Sequence, residues 1–354
     1  MEKKRLIGLD IVRTAAILFV ITLHATSLSG VFDGEKNLFW GICLYLRQLC
    51  MACVPLFLIL SGYLQKNKKL SASYYFGVIP LYLSYAVISA LCMLAYAVQG
   101  YMNGNMDLTF VTAIYKMLDF SANGYAWYFE MFLGLFLLIP FLNALYGAIE
   151  TKGGKITLIG TLVFLTLISD TISGFAPYYA GTSSVTLNIL PDFFKTLYPV
   201  TYYFIGSYIA EFKPELKGVK KLLALCAPII PAGIIAAYSY ARGGYAWYMF
   251  NGFQTLTVAF TAVCVFLALY DVDLDFAPLK NVFSFISKNT FEMYLFSYLW
   301  DNLFYSVLGL GTRLPLVLMV VIVFVCSLVS AALAGVVVKP VSKGIIIALS
   351  KKIS

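Results

Sequence analysis

Charged residues are scarce in this sequence. Only 12% of its 354 residues are Asp, Glu, Lys or Arg, whereas a soluble globular domain carries roughly 25%. With 61% hydrophobic residues and a mean hydropathy of +0.86, the chain has too little polar surface to face water on all sides. This composition excludes a soluble enzyme, and lipid is predicted to be the solvent for most of the chain.

Three further absences narrow the class of protein. The apolar runs do not alternate with polar positions, which argues against a β-barrel and favours helices. The chain has one histidine, and the Cys50–Cys53 pair has no second pair beside it, so we expect no metal site. No basic stripe interleaves with aromatic residues in a water-facing segment, so we expect no nucleic-acid partner.

Ten apolar runs have about the 20 residues that a helix needs to cross a bilayer. We therefore predict an all-α polytopic membrane protein, interpreted as a single membrane domain over residues 1–354. The first run is too long for a cleavable signal peptide, and it contains Arg13 and His24. The predicted spans are 8–28, 38–63, 74–98, 125–147, 155–172, 191–211, 220–240, 250–270, 290–309 and 314–337.

Basic residues predict the orientation of these spans. With the N-terminus in the cytoplasm, eighteen of the 25 Lys and Arg fall on cytoplasmic segments and six on outer loops or outer helix ends. Ten spans then place the C-terminus in the cytoplasm. The 99–124 segment lies outside, with a short interfacial helix around Asp107 to Phe120. The eighteen are Lys3, Lys4, Arg5, Lys66, Lys68, Lys69, Lys152, Lys155, Lys213, Lys217, Lys220, Lys221, Lys280, Lys288, Lys339, Lys343, Lys351 and Lys352.

The first span contains the best candidates for a functional site, because ionisable residues inside a membrane are costly. Asp10 and Arg13 are three positions apart and can pair on one helix face. Arg13 and His24 are eleven positions apart, so they share a face about 16 Å apart along the axis. Arg13, toward the cytoplasm, can hold an anionic donor, and His24 can act as a general base. A hydrogen-bonded core histidine with a buried Asp10–Arg13 pair is the structural alternative.

Five stretches together resemble the acyltransferase 3 family of membrane acyltransferases. The first is Leu9-Asp10-Ile11-Val12-Arg13 followed by His24, and the second is Val54-Pro55-Leu56-Phe57 with Leu60-Ser61-Gly62-Tyr63-Leu64. The other three keep the family's order along nearly the whole chain: Trp127-Tyr128-Phe129 with Gly134-Leu135-Phe136 and Pro140, Tyr203-Phe204-Ile205-Gly206-Ser207-Tyr208, and Ser287-Lys288-Asn289-Thr290-Phe291 with Tyr294-Leu295.

The resemblance implies an O-acyltransferase of the bacterial plasma membrane. The donor is cytoplasmic acyl-CoA, usually acetyl-CoA, with no metal, and the acceptor is a hydroxyl of an extracytoplasmic glycan or lipid-linked sugar. Membrane lipid and that glycan are the implied partners. Arg13 and His24 match the family's arginine–histidine motif, with His24 as the catalytic residue and Arg13 and Asp10 at the donor. A non-catalytic transporter of a polysaccharide or small solute is the alternative.

The chain departs from the family pattern at three places. Many members carry arginines just before the Ile-Pro of the third helix, which is Ile79-Pro80 here, and this chain has none there. Many members also have histidines where this chain has Tyr125 and Ser297. The missing arginines favour the transporter, and the intact Arg13–His24 spacing favours the enzyme. The nearby cations that can contact donor phosphates instead are Lys66, Lys68 and Lys69.

Four more residues are candidates for acceptor-binding or structural roles. Ser61 stands beside Gly62, and small residues of this kind let membrane helices approach closely. Trp127 belongs to an interfacial aromatic belt or lines a sugar-binding mouth. Glu130 and Glu292 place carboxylates in spans, either at a functional site or hydrogen-bonded among buried neighbours.

Overall fold

The computed structural model describes residues 6–102, 108–173, 192–241 and 252–353, and every regular element in these ranges is helical. The all-α class is therefore confirmed for this part of the chain. The α-helices are α1 (Ile7–Leu28), α2 (Leu38–Cys50), α3 (Cys53–Gln65), α4 (Ala72–Tyr75), α5 (Val78–Met102), α6 (Phe110–Leu118), α7 (Trp127–Ala148), α8 (Lys152–Val163), α9 (Ser169–Ser173), α10 (Tyr198–Phe212), α11 (Val219–Cys226), α12 (Ile229–Ala241), α13 (Leu256–Leu269), α14 (Ala277–Ser287), α15 (Thr290–Asp301) and α16 (Leu316–Ile353).

Within the described ranges, seven helical stretches are long and apolar enough to cross a membrane. Each of them overlaps a predicted span, so the chain is a multi-pass membrane protein. The seven are Ile7–Leu28, Leu38–Gln65, Ala72–Met102, Trp127–Ala148, Lys152–Ser173, Val219–Ala241 and Leu316–Lys351.

The other three predicted spans contain shorter helices. Helix α10 has 15 residues, α13 has 14 and α15 has 12. Helix α15 continues directly into a π-helical segment, Asn302–Val307. The predicted spans 191–211 and 250–270 begin in residues outside the described ranges. A total of ten crossings therefore stays a prediction.

The predicted span 38–63 corresponds to the helical stretch Leu38–Gln65, which has an internal break. It is divided into α2 and α3 at Met51 and Ala52. Pro55 explains the break, because it has no N–H to donate to the Met51 carbonyl and its ring blocks that position. The Ala52 N–H donates instead to the Leu49 carbonyl at 3.2 Å, which tightens the chain between the helices.

Helix α16 extends past the predicted end at residue 337. It has 38 residues and is about 57 Å long at 1.5 Å per residue. Lys339 and Pro340 follow the predicted end. Pro340 removes only one backbone hydrogen bond, to the Val336 carbonyl, and the helix continues. Since a bilayer core is about 30 Å thick, part of α16 lies beyond it.

The segment predicted to lie outside the membrane also contains a helix. The expected short helix around Asp107 to Phe120 is confirmed as α6, which begins at Phe110. The Thr109 side chain accepts a hydrogen bond from the Thr112 N–H and caps the first turn of α6. Residues 103–107 of the same segment lie outside the described part of the chain.

The chain divides into two compact units, each built from two stretches of sequence. The first unit is Met1–Asn67 with Leu142–Ser287, and the second is Lys68–Phe141 with Lys288–Ser354. A single domain over the whole chain stays a prediction. Asp10, Arg13, His24, Ser61 and Lys66 belong to the first unit, and Lys68, Lys69, Trp127, Glu130 and Glu292 belong to the second.

In the first unit, helices α3 and α10 meet at two glycines. A Cβ atom added to Gly62 would overlap the carbonyl oxygen of Tyr203. A Cβ atom added to Gly206 would overlap the carbonyl oxygen of Ile59. Each glycine thus lets the backbone of the opposite helix approach closely. The close approach strengthens the van der Waals attraction between the two helices in a membrane. The close approach predicted at Gly62 is confirmed.

Candidate functional site

Arg13 is held at a fixed position in the first unit by the end of α14. Its Nη1 atom donates to the Ser287 hydroxyl at 3.1 Å and to the Ser287 carbonyl at 3.5 Å. Ser287 is buried, and Arg13 is half-buried. The arginine of the first family-like stretch therefore contacts the serine that opens the last one.

Asp10 lies one turn before Arg13, in the first turn of α1. Asp10 is only 4% exposed. A carboxylate is favoured at this end of a helix, because the backbone N–H groups there carry partial positive charge. The Thr14 hydroxyl donates to the Asp10 carbonyl at 2.9 Å, which is a bond within the helix. Asp10 and Arg13 thus place one negative and one positive side chain at the same end of α1.

His24 lies near the opposite end of α1 and has a buried cation as its neighbour. The residue is half-buried, and its Nδ1 atom is buried. Arg47, on α2, interacts electrostatically with His24. The Nη1 atom of Arg47 donates to the Leu23 carbonyl at 2.9 Å, immediately before His24 in the chain. An arginine side chain is therefore hydrogen-bonded near each end of α1, Arg13 at one end and Arg47 beside His24 at the other. Arg13 and His24 are about 16 Å apart along the helix axis.

A family model described as an acyltransferase domain matches residues 6–336. The chain belongs to the acyltransferase 3 family. The match covers α1, with Arg13 and His24, and all of the other candidate residues. No curated protein and no solved structure matches the chain. Family membership indicates a membrane acyltransferase, and the resemblance predicted from the five stretches is confirmed.

The three lysines predicted to assist donor binding in this acyltransferase 3 family member differ in exposure. Lys66 is half-buried just after α3, whereas Lys68 and Lys69 are exposed. Within the first unit, Lys66 interacts electrostatically with Glu211. Glu211 also forms an ion pair with Lys155, with Nζ 2.6 Å from Oε1. Lys66 and Lys155 therefore lie near one carboxylate.

The Ser61 hydroxyl is engaged by its own helix. Its Oγ atom donates to the Phe57 carbonyl at 2.8 Å, four residues earlier in α3. Hydroxyls that bond in this way often bend a helix slightly. This geometry supports a structural role for Ser61, next to the close helix contact at Gly62. It does not favour a role in acceptor binding.

In the second unit, the two candidate glutamates have different surroundings. Glu292 is half-buried, and its Oε1 atom accepts a hydrogen bond from the Ser84 hydroxyl at 2.8 Å. Glu130 is exposed in the first turn of α7, so the buried alternative is wrong for it. Trp127, at the start of α7, is 39% exposed. Trp127 and Glu130 thus lie on accessible surface, and Glu292 is held by a neighbouring helix.

The residues that replace the family's histidines have structural partners in the second unit. The Tyr125 hydroxyl donates to Asp301 Oδ2 at 2.8 Å, and Asp301 is 1% exposed. Ser297 is fully buried, and its hydroxyl donates to the Tyr294 carbonyl at 2.7 Å. Tyr125 also packs against Tyr298, with ring centroids 5.0 Å apart. Tyr125 thus joins the segment before α7 to helix α15, and Ser297 bonds within α15.

A cavity of about 740 Å³ lies beside this cluster, between α5 and the π-helical segment after α15. Its volume is within the range of small-molecule sites, about 300–1,000 Å³. Tyr298 links the cavity to Tyr125. The lining residues with hydroxyl, amide or indole groups are Tyr96, Gln99, Tyr298, Trp300, Asn302 and Ser306.

Two buried charged residues were missed by sequence reasoning. From the sequence, Arg47 is one of the six basic residues assigned to outer loops or outer helix ends, and Asp301 lies in the predicted span 290–309. Both occur inside apolar runs, and an ionisable residue in such a run is by itself a signal of function. That signal was available in the sequence. The partners of these two residues were not, because they come from other helices.

Proposed function

We propose that this protein is an O-acyltransferase that moves an acyl group, most simply acetyl, from cytoplasmic acyl-CoA to a sugar hydroxyl on the other side of the membrane. The observation that carries the proposal is the arrangement of α1. One continuous helix, Ile7–Leu28, holds Arg13 near its first turns and His24 near its last turns. Each of the two regions is fixed by hydrogen bonds to another helix of the first unit.

The chemistry assigned to His24 is general-base catalysis. Its imidazole accepts the proton of the acceptor hydroxyl while the hydroxyl oxygen attacks the thioester carbonyl carbon. The carbon–sulfur bond then breaks, and the CoA thiolate leaves. The imidazolium returns the proton to the thiolate, so the products are the acyl ester and CoA thiol. Neither a metal nor an external oxidant is needed for this balance.

Donor binding is assigned to the other end of α1. A guanidinium binds phosphate oxygens through two parallel hydrogen bonds, which an ammonium cannot do. Arg13 is assigned that contact, with Asp10 beside it and the three lysines of the 66–69 segment as further cations. CoA itself separates its phosphates from its thioester by the long pantetheine arm. Two sites about 16 Å apart along one helix suit a donor of that shape.

The proposal includes ten crossings, with both termini in the cytoplasm of a bacterial cell. Reporter fusions test this topology, with a cytoplasmic reporter active at Asn67, Gly153 and Ser354 and a phosphatase active at Gly104. Gly104 and Ser354 lie outside the described residues. The physical reason is the excess of Lys and Arg on the segments assigned to the cytoplasm. Phosphatase activity at Asn67 or Gly153, or its absence at Gly104, would contradict the topology.

Acyl transfer in reconstituted vesicles tests the function directly. Vesicles containing the purified protein and a glycan or lipid-linked sugar inside are given acetyl-CoA labelled in the acetyl group. The enzyme should move the label to the acceptor and release CoA outside. His24→Ala vesicles should not. A transporter would move the acceptor or solute across the membrane without labelling it, and that result would refute the enzyme.

Substitution of Arg13 is expected to weaken donor binding. Charge-assisted hydrogen bonds contribute about 1.5–3 kcal/mol, so Arg13→Gln should raise the Kd for acyl-CoA about 10- to 100-fold. Arg13→Lys should recover only part of this, since the charge remains and the planar fork is lost. Binding is measured by equilibrium dialysis with a non-hydrolysable acyl-CoA analogue.

The matched control for Arg13 is Arg313→Lys, because Arg313 is an exposed arginine in the second unit. It should bind the donor with the wild-type Kd. A variant with Lys66, Lys68 and Lys69 all changed to alanine tests the helper lysines separately. Wild-type donor affinity in both Arg13→Gln and the triple variant would refute the assignment of the donor site to this end of α1.

A further inference from the structure

Arg47 is one of the charged residues buried in the first unit. It lies in α2, in a mostly apolar run, and is only 8% exposed. A guanidinium placed in such surroundings is costly unless its donors are hydrogen-bonded. The partners that stabilise it should therefore indicate why an arginine stands at this position.

The partners of Arg47 are the residues on both sides of His24. Its Nη1 atom donates to the Leu23 carbonyl at 2.9 Å and to the Thr26 hydroxyl at 3.2 Å. It also donates to the Ser27 hydroxyl at 2.5 Å. One guanidinium nitrogen thus contacts the residue before His24 and the second and third residues after it.

The same carbonyl accepts hydrogen bonds from helix α1 itself. The Thr26 hydroxyl donates to the Leu23 carbonyl at 2.8 Å, and the Ser27 hydroxyl donates to it at 2.9 Å. Three side chains therefore converge on the backbone oxygen next to His24. Because the direction of a side chain follows from its backbone, fixing this turn of α1 also fixes the direction of the His24 ring.

A second group of contacts holds Arg47 in place. Its guanidinium lies 5.9 Å from the centroid of the Phe32 ring, a cation–π distance. Phe32 in turn packs edge-on against Trp40, with ring centroids 6.1 Å apart. Trp40 is fully buried in α2, about two turns before Arg47. The arginine is therefore also supported by aromatic contacts from outside α1.

We propose that Arg47 is a positioning residue for His24, which holds the turn of α1 that directs the imidazole toward the acceptor hydroxyl. This inference rests on the proposed function for the identity of the acceptor. Arg47 itself touches neither substrate in this assignment. A group misplaced by about 1 Å can cost on the order of 10²-fold in rate, so an arginine that only orients the base still has a large effect on turnover.

The sole histidine of the chain provides a readout that does not depend on activity. Protein labelled with isotopic histidine and reconstituted in lipid nanodiscs contains one imidazole spin system, that of His24. Arg47→Gln and Arg47→Lys should change its chemical shifts. Turnover should fall about 10²-fold in Arg47→Gln, with the KM for acyl-CoA unchanged because the donor site is elsewhere. Arg47→Lys should recover part of the turnover.

A milder substitution tests the same contact in case the Arg47 variants do not fold. Ser27→Ala removes one acceptor of Arg47 at an exposed position, and Ser29→Ala is its matched control two residues later. The Ser29 hydroxyl donates to the Thr26 carbonyl at 3.4 Å. Ser27→Ala should shift the His24 signals in the same direction as Arg47→Gln and lower turnover by a smaller factor. Ser29→Ala should leave both unchanged.

The outcomes separate this inference from the proposed function. Wild-type His24 signals in Ser27→Ala and in folded Arg47→Gln would overturn the positioning role, as would wild-type turnover in both. A fall in folded protein with unchanged turnover per folded molecule would show a purely structural arginine and would also overturn it. Shifted His24 signals in a protein that transfers no acyl group at all would support the positioning contact and refute only the acyltransferase.

Discussion

His24→Ala is expected to lower acyl transfer per folded molecule by about 10²–10⁴-fold, the usual contribution of a general base. No other histidine in the chain can replace it. Donor affinity should stay at the wild-type value, because donor binding is assigned to Arg13, about 16 Å away along α1. Transfer is measured with labelled acetyl-CoA and normalised to the folded protein recovered by size exclusion.

Two further variants of α1 make this result specific. His24→Gln keeps a polar side chain of similar length that cannot accept and release a proton, so it should be as inactive as His24→Ala. Leu18→Ala changes an exposed position of the same helix and should retain wild-type transfer. If His24 only packs in the core, its variants should lose abundance while the remaining protein keeps full activity. Wild-type specific activity in either variant would end the general-base assignment.

Added imidazole offers an independent check on the chemistry. His24→Gly leaves space at the position of the ring, and free imidazole carries the same base. Transfer by this variant should rise with imidazole concentration, whereas transfer by the Arg13→Gln variant should not respond. A response of both variants, or of neither, would contradict the assignment of the base to His24.

The second large effect is expected at the crossing of α3 and α10. Gly206→Leu should abolish most of the folded protein, because the Cβ atom alone already overlaps the Ile59 carbonyl oxygen. The smaller change Gly206→Ala should cost about 1–3 kcal/mol, the usual effect of overpacking a close contact. Folded yield and the thermal midpoint in a fixed detergent measure both effects.

Gly233 in α12 is the matched control for Gly206. It is exposed, and a Cβ atom there meets nothing within 4 Å. Gly233→Ala should be neutral or stabilising by up to about 1 kcal/mol, since alanine is the better helix former. Gly62→Ala should resemble Gly206→Ala, and the double variant should cost less than the sum, because both strain the same crossing. Equal stability of Gly206→Leu and Gly233→Leu would show that the close approach carries no energy.

The class of the protein and the order of its spans could be predicted from the sequence. Hydropathy is a property of each stretch of about 20 residues, so it requires no knowledge of what packs against the stretch. What the sequence did not predict is where a single proline breaks a helix and where it does not. Pro55 divides the span at Met51, whereas Pro340 does not end α16. A membrane helix can either break at a proline or continue through it. The packing of neighbouring helices determines which of the two occurs.

The acyltransferase 3 family was predicted from five stretches in a fixed order along the chain, and the Arg13–His24 pair from spacing along one helix. Both are properties of the sequence alone. Only the tertiary structure decided their partners. Ser287, which holds Arg13, lies 274 positions later in the chain, and Arg47 reaches Leu23 from a different helix. Apolar membrane helices have no strongly marked polar face that would predict their neighbours, since every face can meet lipid or protein. Which polar side chains meet is therefore determined by close packing between helices.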